Sequence, residues 1–366
     1  MSTVLYVLAA ILLLSVLIAV HEGGHFLAAR LTGIPVREYA IGMGPKIFSR
    51  TSKKTGIVFS LRAVPMGGFC AFYGEDDPDA KAQDDPRAFS RQKLWKRIVT
   101  VLMGPGMNFI LAFAVLLLST WILGVSVPVR EAGFEPLITD VAASGAAKEA
   151  GIRPGDFITA INGQAMLVYE GEEERNPFSD AISGWKEGDA PLVLTVRRGR
   201  ETVDIAVTPH YVGETGRMMI DIGYGYYAVE TKRAPVGIWD GVRVSWDDFT
   251  YYSGAIFNAV IGIFKGENLD QVSGPVGAVT QISEQVRQSG FDAFIQLLAF
   301  ISVNLGIVNL LPIPALDGSR ILFMLIEGVR GKPIPPEKEA VVHLAGMALL
   351  IVVFVILTVR DVGRLF

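Results

Sequence analysis

Two histidines and a glutamate near the start of the chain have the types and spacing of a metal-dependent hydrolytic centre. They lie in the string His21-Glu22-Gly23-Gly24-His25. On a helix, residues four apart share a face, so both imidazoles can bind one ion, and H-E-x-x-H is the signature of zinc metalloproteases. The glutamate then lies beside the ion, where its carboxylate can accept a proton from a bound water molecule.

The location of this motif favours a functional site over a chance match. It directly follows an apolar run, residues 4–20, that carries no charge. Polar groups at the end of a membrane-type helix are costly unless they have a function or a partner. We therefore predict a site for one Zn2+ per chain, with His21 and His25 as ligands and Glu22 as the catalytic base.

Composition and length predict a membrane protein. Of the 366 residues, 51% are hydrophobic. Four segments are long enough to cross a bilayer core of ~30 Å; they are residues 4–25, 98–125, 293–316 and 340–359. The net charge of −4 does not indicate nucleic-acid binding. The single cysteine, Cys70, excludes an intrachain disulfide and a cysteine-based metal cluster, and we interpret it as a small packed residue.

The distribution of charge predicts an orientation in the membrane. Residues 26–97 have an excess of lysine and arginine, whereas residues 125–290 have an excess of acidic side chains. Basic loops stay on the cytoplasmic side, so we expect the first connection inside, the second outside and both termini outside. No basic residue precedes the first apolar run and no clear cleavage site follows it, so it is interpreted as a retained span.

The third apolar segment ends in an irregular stretch that offers a third ligand. Pro312 and Pro314 cannot continue a helix, and open backbone at membrane depth is tolerated where it lines a cavity. Asp317 lies three residues after Pro314, and the predicted topology places it on the cytoplasmic side with the two histidines. His343, at the start of the fourth span, is the alternative ligand at similar depth. We favour Asp317 because its own segment is irregular.

Residues 36–73 alternate apolar and polar positions between glycines, which predicts β-hairpins. The stretch 64–72 is apolar but too rich in helix breakers for a helix. One interpretation is a loop that enters the membrane beside the site and pairs its free strand edge with an extended substrate. Gly67, Gly68 and Phe69 would then bind substrate. The other interpretation, an ordinary cytoplasmic hairpin, stays open.

The second span is interrupted at residues 104–108, where glycines let neighbouring helices approach closely and Asn108 needs a polar partner in hydrocarbon. We interpret this stretch as a helix-packing device. Between the second and third spans, residues 126–210 have the pattern of a small α+β domain, with A-G-x-x-x-G-D at 150–156 and an Asn-Gly turn. This string resembles a bacterial, protease-associated PDZ domain, which implies a peptide-binding loop near residues 133–137.

The combined motifs resemble the site-2 protease family of bacteria, and within it the RseP type. They are His21-Glu22-x-x-His25, Gly104-Pro105-x-x-Asn108 and Asn309-x-x-Pro312-x-Pro314-x-Leu316-Asp317-Gly318. The resemblance implies that the two histidines and Asp317 bind zinc, that Glu22 is catalytic and that Asn309 lies near the substrate. Two departures stand out. Gly23 stands where the family commonly has an aromatic residue, which predicts looser packing around the zinc. The chain also has one recognisable PDZ domain where the best-known members have two, so the family's size filter against uncut substrates is expected here only in part.

The resemblance also implies an architecture, a location and partners. We expect a polytopic α-helical membrane protein with four spans, membrane-associated β-hairpins and an inserted extracytoplasmic α+β PDZ domain, in the bacterial inner membrane. The expected substrates are single-span membrane proteins such as anti-sigma factors, already cut by an upstream site-1 type protease, with remnant signal peptides as a second candidate. The predicted regions are residues 1–125, 126–210, 211–291 and 292–366. The third of these is expected to hold a hairpin and an amphipathic interfacial helix.

Two other classes of function remain as alternatives. A non-catalytic scaffold would bind partners through the PDZ domain, but the intact Glu22 and Asp317 argue against an abandoned site. A metal transporter would need a path through the membrane, and the chain has no internal repeat of spans that would supply one. We therefore favour an intramembrane zinc endopeptidase.

Overall fold

The computed structural model describes residues 3–75, 85–142, 144–169, 176–199, 201–213, 216–266, 294–332 and 334–363. The chain divides into two compact units. The membrane unit comprises Met1–Ile122 and Val236–Phe366, and the inserted unit comprises Leu123–Pro235. The two units are described separately.

Helices dominate the membrane unit. They are α1 (Thr3–Thr32), α2 (Leu94–Leu123), α5 (Ile238–Phe264), α6 (Phe294–Leu310), α7 (Asp317–Arg330) and α8 (Pro336–Gly363). Within the described residues, three segments are long and apolar enough to cross a membrane: Ala10–Thr32, Leu94–Leu123 and Lys338–Asp361. At ~1.5 Å per residue, each reaches across the ~30 Å hydrocarbon core. The protein is a multi-pass membrane protein.

The helix observed at the predicted third span, residues 293–316, has different bounds from those predicted. Residue 293 lies outside the described residues, and α6 ends at Leu310 rather than 316. The helix stops there because Pro312 has no amide hydrogen to continue the helical ladder. The described part of this helix, Phe294–Leu310, is ~25 Å long by its residue count.

Helices α1 and α2 approach closely through glycines. A Cβ atom on Gly24 would lie 2.0 Å from the carbonyl oxygen of Met103, and one on Gly104 would lie 2.2 Å from Cε1 of His25. No side chain fits at either position, so the two backbones are as close as packing allows. The looser packing was predicted at Gly23, where a Cβ atom would meet only the hydroxyl of Tyr39 at 4.0 Å, and the close approach at Gly24 does not test it.

Strands β1 (Val36–Thr51) and β2 (Val58–Phe72) form an antiparallel pair with several irregularities. Residues 38–41 of β1 pair with both 58–61 and 68–71 of β2. The hairpin therefore folds over itself, and 38–41 becomes an inner strand. Residues 68–71 then form an edge strand, with no further strand beside them among the residues described.

The inserted unit is built on one antiparallel sheet in the order β11-β4-β5-β7-β8, with β6 paired to β5. Its elements are β3 (Val125–Pro128), β4 (Phe134–Val141), α3 (Ala146–Ala150), β5 (Phe157–Ile161), β6 (Gln164–Ala165), α4 (Pro177–Ser183), β7 (Leu192–Arg198), β8 (Glu201–Val207), β9 (His210–Val212), β10 (Arg217–Met219), β11 (Ile222–Ala228) and β12 (Thr231–Ala234). Fully buried Ile138, Ile158, Leu194 and Phe178 lie at the centre of its core.

Two expectations for this unit change. Strand β11 pairs with β4, and β12 pairs with β3, so the unit extends to Pro235 instead of ending at 210. Strand β4 is bonded on both sides, by β11 and β5, and cannot accept a peptide strand. The peptide-binding loop predicted near 133–137 is therefore wrong, because residues 134–137 belong to this strand. Within the part of the chain that the structure describes, the outer edge of the sheet beside β4 belongs to β11. A cavity of about 290 Å³ lies between β11, β10 and α4.

Candidate metal centre and active site

Three predicted ligands meet in the membrane unit. His21 and His25 lie one turn apart on α1 and are buried, and Asp317 is the first residue of α7. Asp317 Oδ2 lies 3.0 Å from Nε2 of His21 and 3.3 Å from Nε2 of His25. The ligand atoms of the three side chains all lie within 4.8 Å of one another. Two imidazoles and one carboxylate are a ligand set that zinc takes while keeping a fourth position open.

The surroundings of Asp317 Oδ2 fit a bound cation. Within the described parts of the chain, this oxygen is buried and has no hydrogen-bond partner, although two imidazole nitrogens face it. Leaving a buried carboxylate oxygen unpaired costs free energy. A divalent ion shared by the oxygen and both nitrogens removes that cost, so the residues present fit the metal.

A tight turn delivers Asp317 to the cluster. Ala315 has φ 77°, a left-handed conformation that residues with a side chain adopt only rarely. A Cβ atom on Gly318 would lie 2.2 Å from the carbonyl oxygen of Leu310, so α7 can begin this close to the end of α6 only at a glycine. The prolines predicted to open the backbone are followed by this turn.

His343, the alternative ligand, lies outside the cluster. Its Nδ1 accepts a hydrogen bond of 3.1 Å from the backbone N–H of Ala315, and its ring packs edge-on against Phe323. Its Nε2 lies 3.6 Å from Oε1 of Glu339. Both ring nitrogens are thus engaged away from the metal ligands, and the residue supports the turn before Asp317.

A cavity of about 390 Å³ opens beside the three ligands. The other predicted site residues that line it are Glu22, Gly67, Gly68, Phe69 and Asn309. No hydrogen bond engages the Glu22 carboxylate among the described residues, so its oxygens are available to a water molecule or substrate. A Cβ atom on Gly68 would lie 3.0 Å from Cγ of Glu22 and 3.0 Å from Cγ2 of Ile18. The edge strand therefore lies directly against α1 at the position of the glutamate.

An ionised glutamate holds the hairpin that carries this edge strand. Glu38 accepts hydrogen bonds from Ser60 Oγ at 2.6 Å, Arg62 Nη2 at 2.9 Å and Lys46 Nζ at 3.0 Å. Partial burial raises the pKa of Glu38, but the three donors outweigh it and the pKa lies below its ordinary value. The charged form thus stabilises the hairpin at neutral pH, and this contribution is lost as the pH falls through the lowered pKa.

Two polar contacts from α2 were missed by the sequence reasoning. Nδ1 of His25 lies 3.0 Å from the carbonyl oxygen of Thr100, and Nδ1 of His21 lies 3.0 Å from the side-chain amide of Asn108. Thr100, Gly104 and Asn108 are four residues apart and all buried, so they share one face of α2. This i, i+4 spacing in the sequence could have indicated that the three residues face a common neighbour.

Arg320 is a further residue at the site that no sequence motif indicated. It lines the same cavity one turn after Asp317, forms an ion pair with Glu75 and lies 5.6 Å from the ring centroid of Phe89. Glu75 lies three residues beyond Phe72, the last residue of β2. The ion pair therefore connects α7, which carries Asp317, to the segment that follows the edge strand.

The fold and the site together define a class: a multi-pass membrane protein with a His-His-Asp cluster beside a glutamate that lines the same cavity. The sequence profile of Peptidase family M50 matches residues 9–353. The chain belongs to this family, the site-2 protease family, and is a zinc metalloprotease.

Three relatives show how far the similarity extends. The regulator of sigma-W protease RasP of Bacillus subtilis is 33% identical, over 98% of this chain and 99% of that protein. A putative zinc metalloprotease of Synechocystis is 34% identical over 98% and 95%, and the probable protease eep of Enterococcus faecalis is 30% identical over 98% and 99%. The PDZ domain of an SdrC-like protein from Listeria monocytogenes matches 27% of this chain and 93% of its own, at 23% identity and a TM-score of 0.21. That score is too low to define the fold of the inserted unit.

Proposed function

We propose that the protein is an intramembrane endopeptidase of the site-2 type, which cleaves the transmembrane segment of single-span membrane proteins. The observation that carries this proposal is the convergence of His21, His25 and Asp317 beside Glu22, in a cavity bordered by a strand edge. Two of these ligands and the glutamate lie in the apolar segment Ala10–Thr32. Family membership supports the protease chemistry, and this placement supports its location within the bilayer.

The proposed chemistry assigns one task to each side chain. A single zinc ion bound by the two histidines and Asp317 would polarise a water molecule and the scissile carbonyl group. Glu22 accepts the proton of the water molecule as it attacks and then donates it to the leaving amine. Asn309, which lines the same cavity, donates a hydrogen bond to the carbonyl oxygen as that atom becomes negative.

The edge strand supplies a way to hold the substrate. A transmembrane helix satisfies all its backbone amides internally, so it must unwind before its carbonyl groups can be attacked. Residues 67–69 border the cavity and belong to a strand whose outer edge has no partner among the residues described. An unwound segment pairs with this edge by strand addition. The contact of Gly68 with Ile18 and Glu22 favours the loop that enters the membrane over an ordinary hairpin.

The proposed location and partners follow from charge and from one relative. The basic segment 26–97 supports a cytoplasmic active site, and the acidic segment 125–290 supports an extracytoplasmic inserted unit of PDZ type, with both termini outside the bacterial inner membrane. The name of the Bacillus relative, a regulator of sigma-W, supports anti-sigma factors as substrates, clipped beforehand by a site-1 type protease. The inserted unit either binds the clipped end or blocks uncut substrates.

Substitution of the glutamate tests this function directly. Purified Glu22→Gln protein should retain zinc but cleave a single-span reporter in detergent at least ~10²-fold more slowly, because the amide cannot take up the proton. A chelator should stop cleavage by the wild-type protein, and added zinc should restore it. Undiminished cleavage by Glu22→Gln would refute the base role. Absence of zinc-dependent cleavage in the wild type would favour a scaffold.

A further inference from the structure

The face of α2 that meets the histidine motif has a simple organisation. Gly104 lies against the ring of His25, where a Cβ atom would be 2.2 Å from Cε1. Thr100 lies one turn before it and Asn108 one turn after it, and both are fully buried. Each histidine therefore directs Nε2 to Asp317 and Nδ1 to α2.

The partner of Nδ1 decides which nitrogen is free to bind a metal. A neutral imidazole carries one proton, and the nitrogen that coordinates must be the one with the lone pair. For His25 the partner is the carbonyl oxygen of Thr100, which can only accept a hydrogen bond. Nδ1 of His25 therefore donates, and its Nε2 keeps the lone pair.

The partner of His21 can act in two ways. With Asn108 Nδ2 at 3.0 Å, Nδ1 of His21 is the acceptor, and the proton of a neutral ring then lies on Nε2, which leaves that nitrogen no lone pair for a metal. In this arrangement Asn108 Oδ1 is buried and has no hydrogen-bond partner among the described residues. If the side-chain amide of Asn108 is flipped, its Oδ1 and Nδ2 atoms exchange places and Oδ1 faces Nδ1 of His21. Nδ1 of His21 then donates to it, the orphaned oxygen is satisfied, and Nε2 is left with its lone pair.

We infer that Asn108 is a positioning residue that selects the zinc-binding tautomer of His21 by accepting the Nδ1 hydrogen through its side-chain oxygen. The inference rests on the proposed zinc site. In the zinc-bound protein the amide presents its oxygen to the ring. The hydroxyl of Ser302, on α6, donates to the backbone oxygen of Asn108 at 2.8 Å and fixes the position of this residue.

Zinc affinity of the full-length protein in detergent tests this inference without any use of proteolysis. Chelator competition gives the dissociation constant, and the visible spectrum of the Co2+ form reports the ligand geometry. Asn108→Leu, which has no acceptor, should weaken zinc binding by about 10- to 100-fold. Asn108→Asp, which keeps the shape and only accepts, should retain wild-type affinity and spectrum.

A matched control lies on the same helix. Thr120 is also buried, accepts a hydrogen bond from Ser245 and lies away from the ligands, so Thr120→Val should leave zinc affinity unchanged. Wild-type affinity in Asn108→Leu would overturn the inference. So would a loss in Asn108→Asp as large as that in Asn108→Leu, because it would mean that the amide nitrogen is what matters. If His21→Ala binds zinc normally, the proposed zinc site itself fails.

Discussion

Asp317 and His343 show how the surroundings of a side chain decide between two candidate ligands at the same predicted depth. Oδ2 of Asp317 faces the Nε2 atoms of both motif histidines, whereas Nδ1 of His343 accepts the N–H of Ala315. The spacing of H-E-x-x-H is local, so two ligands could be predicted from the sequence. The third comes from a distant part of the chain; its irregular segment favoured Asp317 over His343, and the turn at Ala315 brings Asp317 to the histidines.

The different contacts of Asp317 and His343 predict that substitution of the first removes bound zinc and substitution of the second does not. Asp317→Ala should lose bound zinc, because the ion would keep only two protein ligands. His343→Leu should retain zinc while losing about 1 kcal/mol of stability, because the Ala315 N–H loses its acceptor. Elemental analysis of the purified variants measures the first effect and thermal unfolding the second. Zinc loss in His343→Leu with zinc retained in Asp317→Ala would reverse the ligand assignment.

The need of Asn108 for a polar partner could be predicted from the sequence, but the identity of that partner could not. Its need for a polar partner in hydrocarbon could be predicted, and the spacing of Thr100, Gly104 and Asn108 defines a helix face. Which helix packs on that face depends on tertiary structure. The partner proved to be the ring of His21, so the interpretation as a helix-packing device was incomplete.

At the scale of elements, the crossing of α1 and α2 depends on positions where no side chain fits. Gly104→Ala should displace the His25 ring, because the new Cβ atom would lie 2.2 Å from Cε1. We expect zinc loss and destabilisation by about 1–3 kcal/mol, the usual range for overpacking. Gly106→Ala is the control on the same helix, since its Cβ atom would meet Sδ of Met103 at an ordinary 3.5 Å.

Zinc content and melting temperature of the two alanine variants check this prediction together. Equal behaviour of Gly104→Ala and Gly106→Ala would show that the close approach of the helices does not hold in solution.

The edge strand shows why alternation alone could not define the hairpin. The pattern in residues 36–73 predicted strands, and strands are found there. The pattern did not predict that 38–41 would pair on both sides with the same partner strand, because the irregularities that bend β2 leave no clear signal in the sequence.

A substitution on that strand separates substrate binding from metal binding. In Gly68→Val, the side chain would meet Ala40, Ile18 and Glu22 at 3.0 Å or less even at Cβ. Reporter cleavage should fall at least ~10-fold, because a misplacement of about 1 Å at an active site can cost 10²-fold. Zinc content should stay normal. Gly213→Val, where a Cβ atom meets nothing within 4 Å, is the control, and equal cleavage by both variants would contradict the role of the edge.

For the molecule as a whole, the sequence predicted four regions with one inserted unit, whereas the structure divides into two compact units. The string at 150–156 predicted an inserted α+β unit, and its sheet also takes in β11 and β12 from beyond residue 210. Strand pairing between distant segments is not encoded in local patterns, so the unit was predicted too short. Residues 267–291 of the predicted third region lie outside the described residues.

The proposed orientation predicts which loops are reachable from outside. In a Cys70→Ala background, a cysteine at Gly213 in the inserted unit should react with a membrane-impermeant maleimide in intact spheroplasts. A cysteine at Lys53, in the turn between β1 and β2, should react only after permeabilisation. The reverse pattern would place the inserted unit in the cytoplasm and contradict the charge argument.

We propose that three side chains from α1 and α7 hold one zinc ion at the cavity. Diffraction from crystals of the zinc-loaded protein at the zinc absorption edge would locate this ion. We predict a single anomalous peak within about 2.0–2.2 Å of Nε2 of His21, Nε2 of His25 and a carboxylate oxygen of Asp317. A peak bound instead by His343, or a peak that lacks Asp317 as a ligand, would show that the three proposed side chains do not form the zinc site.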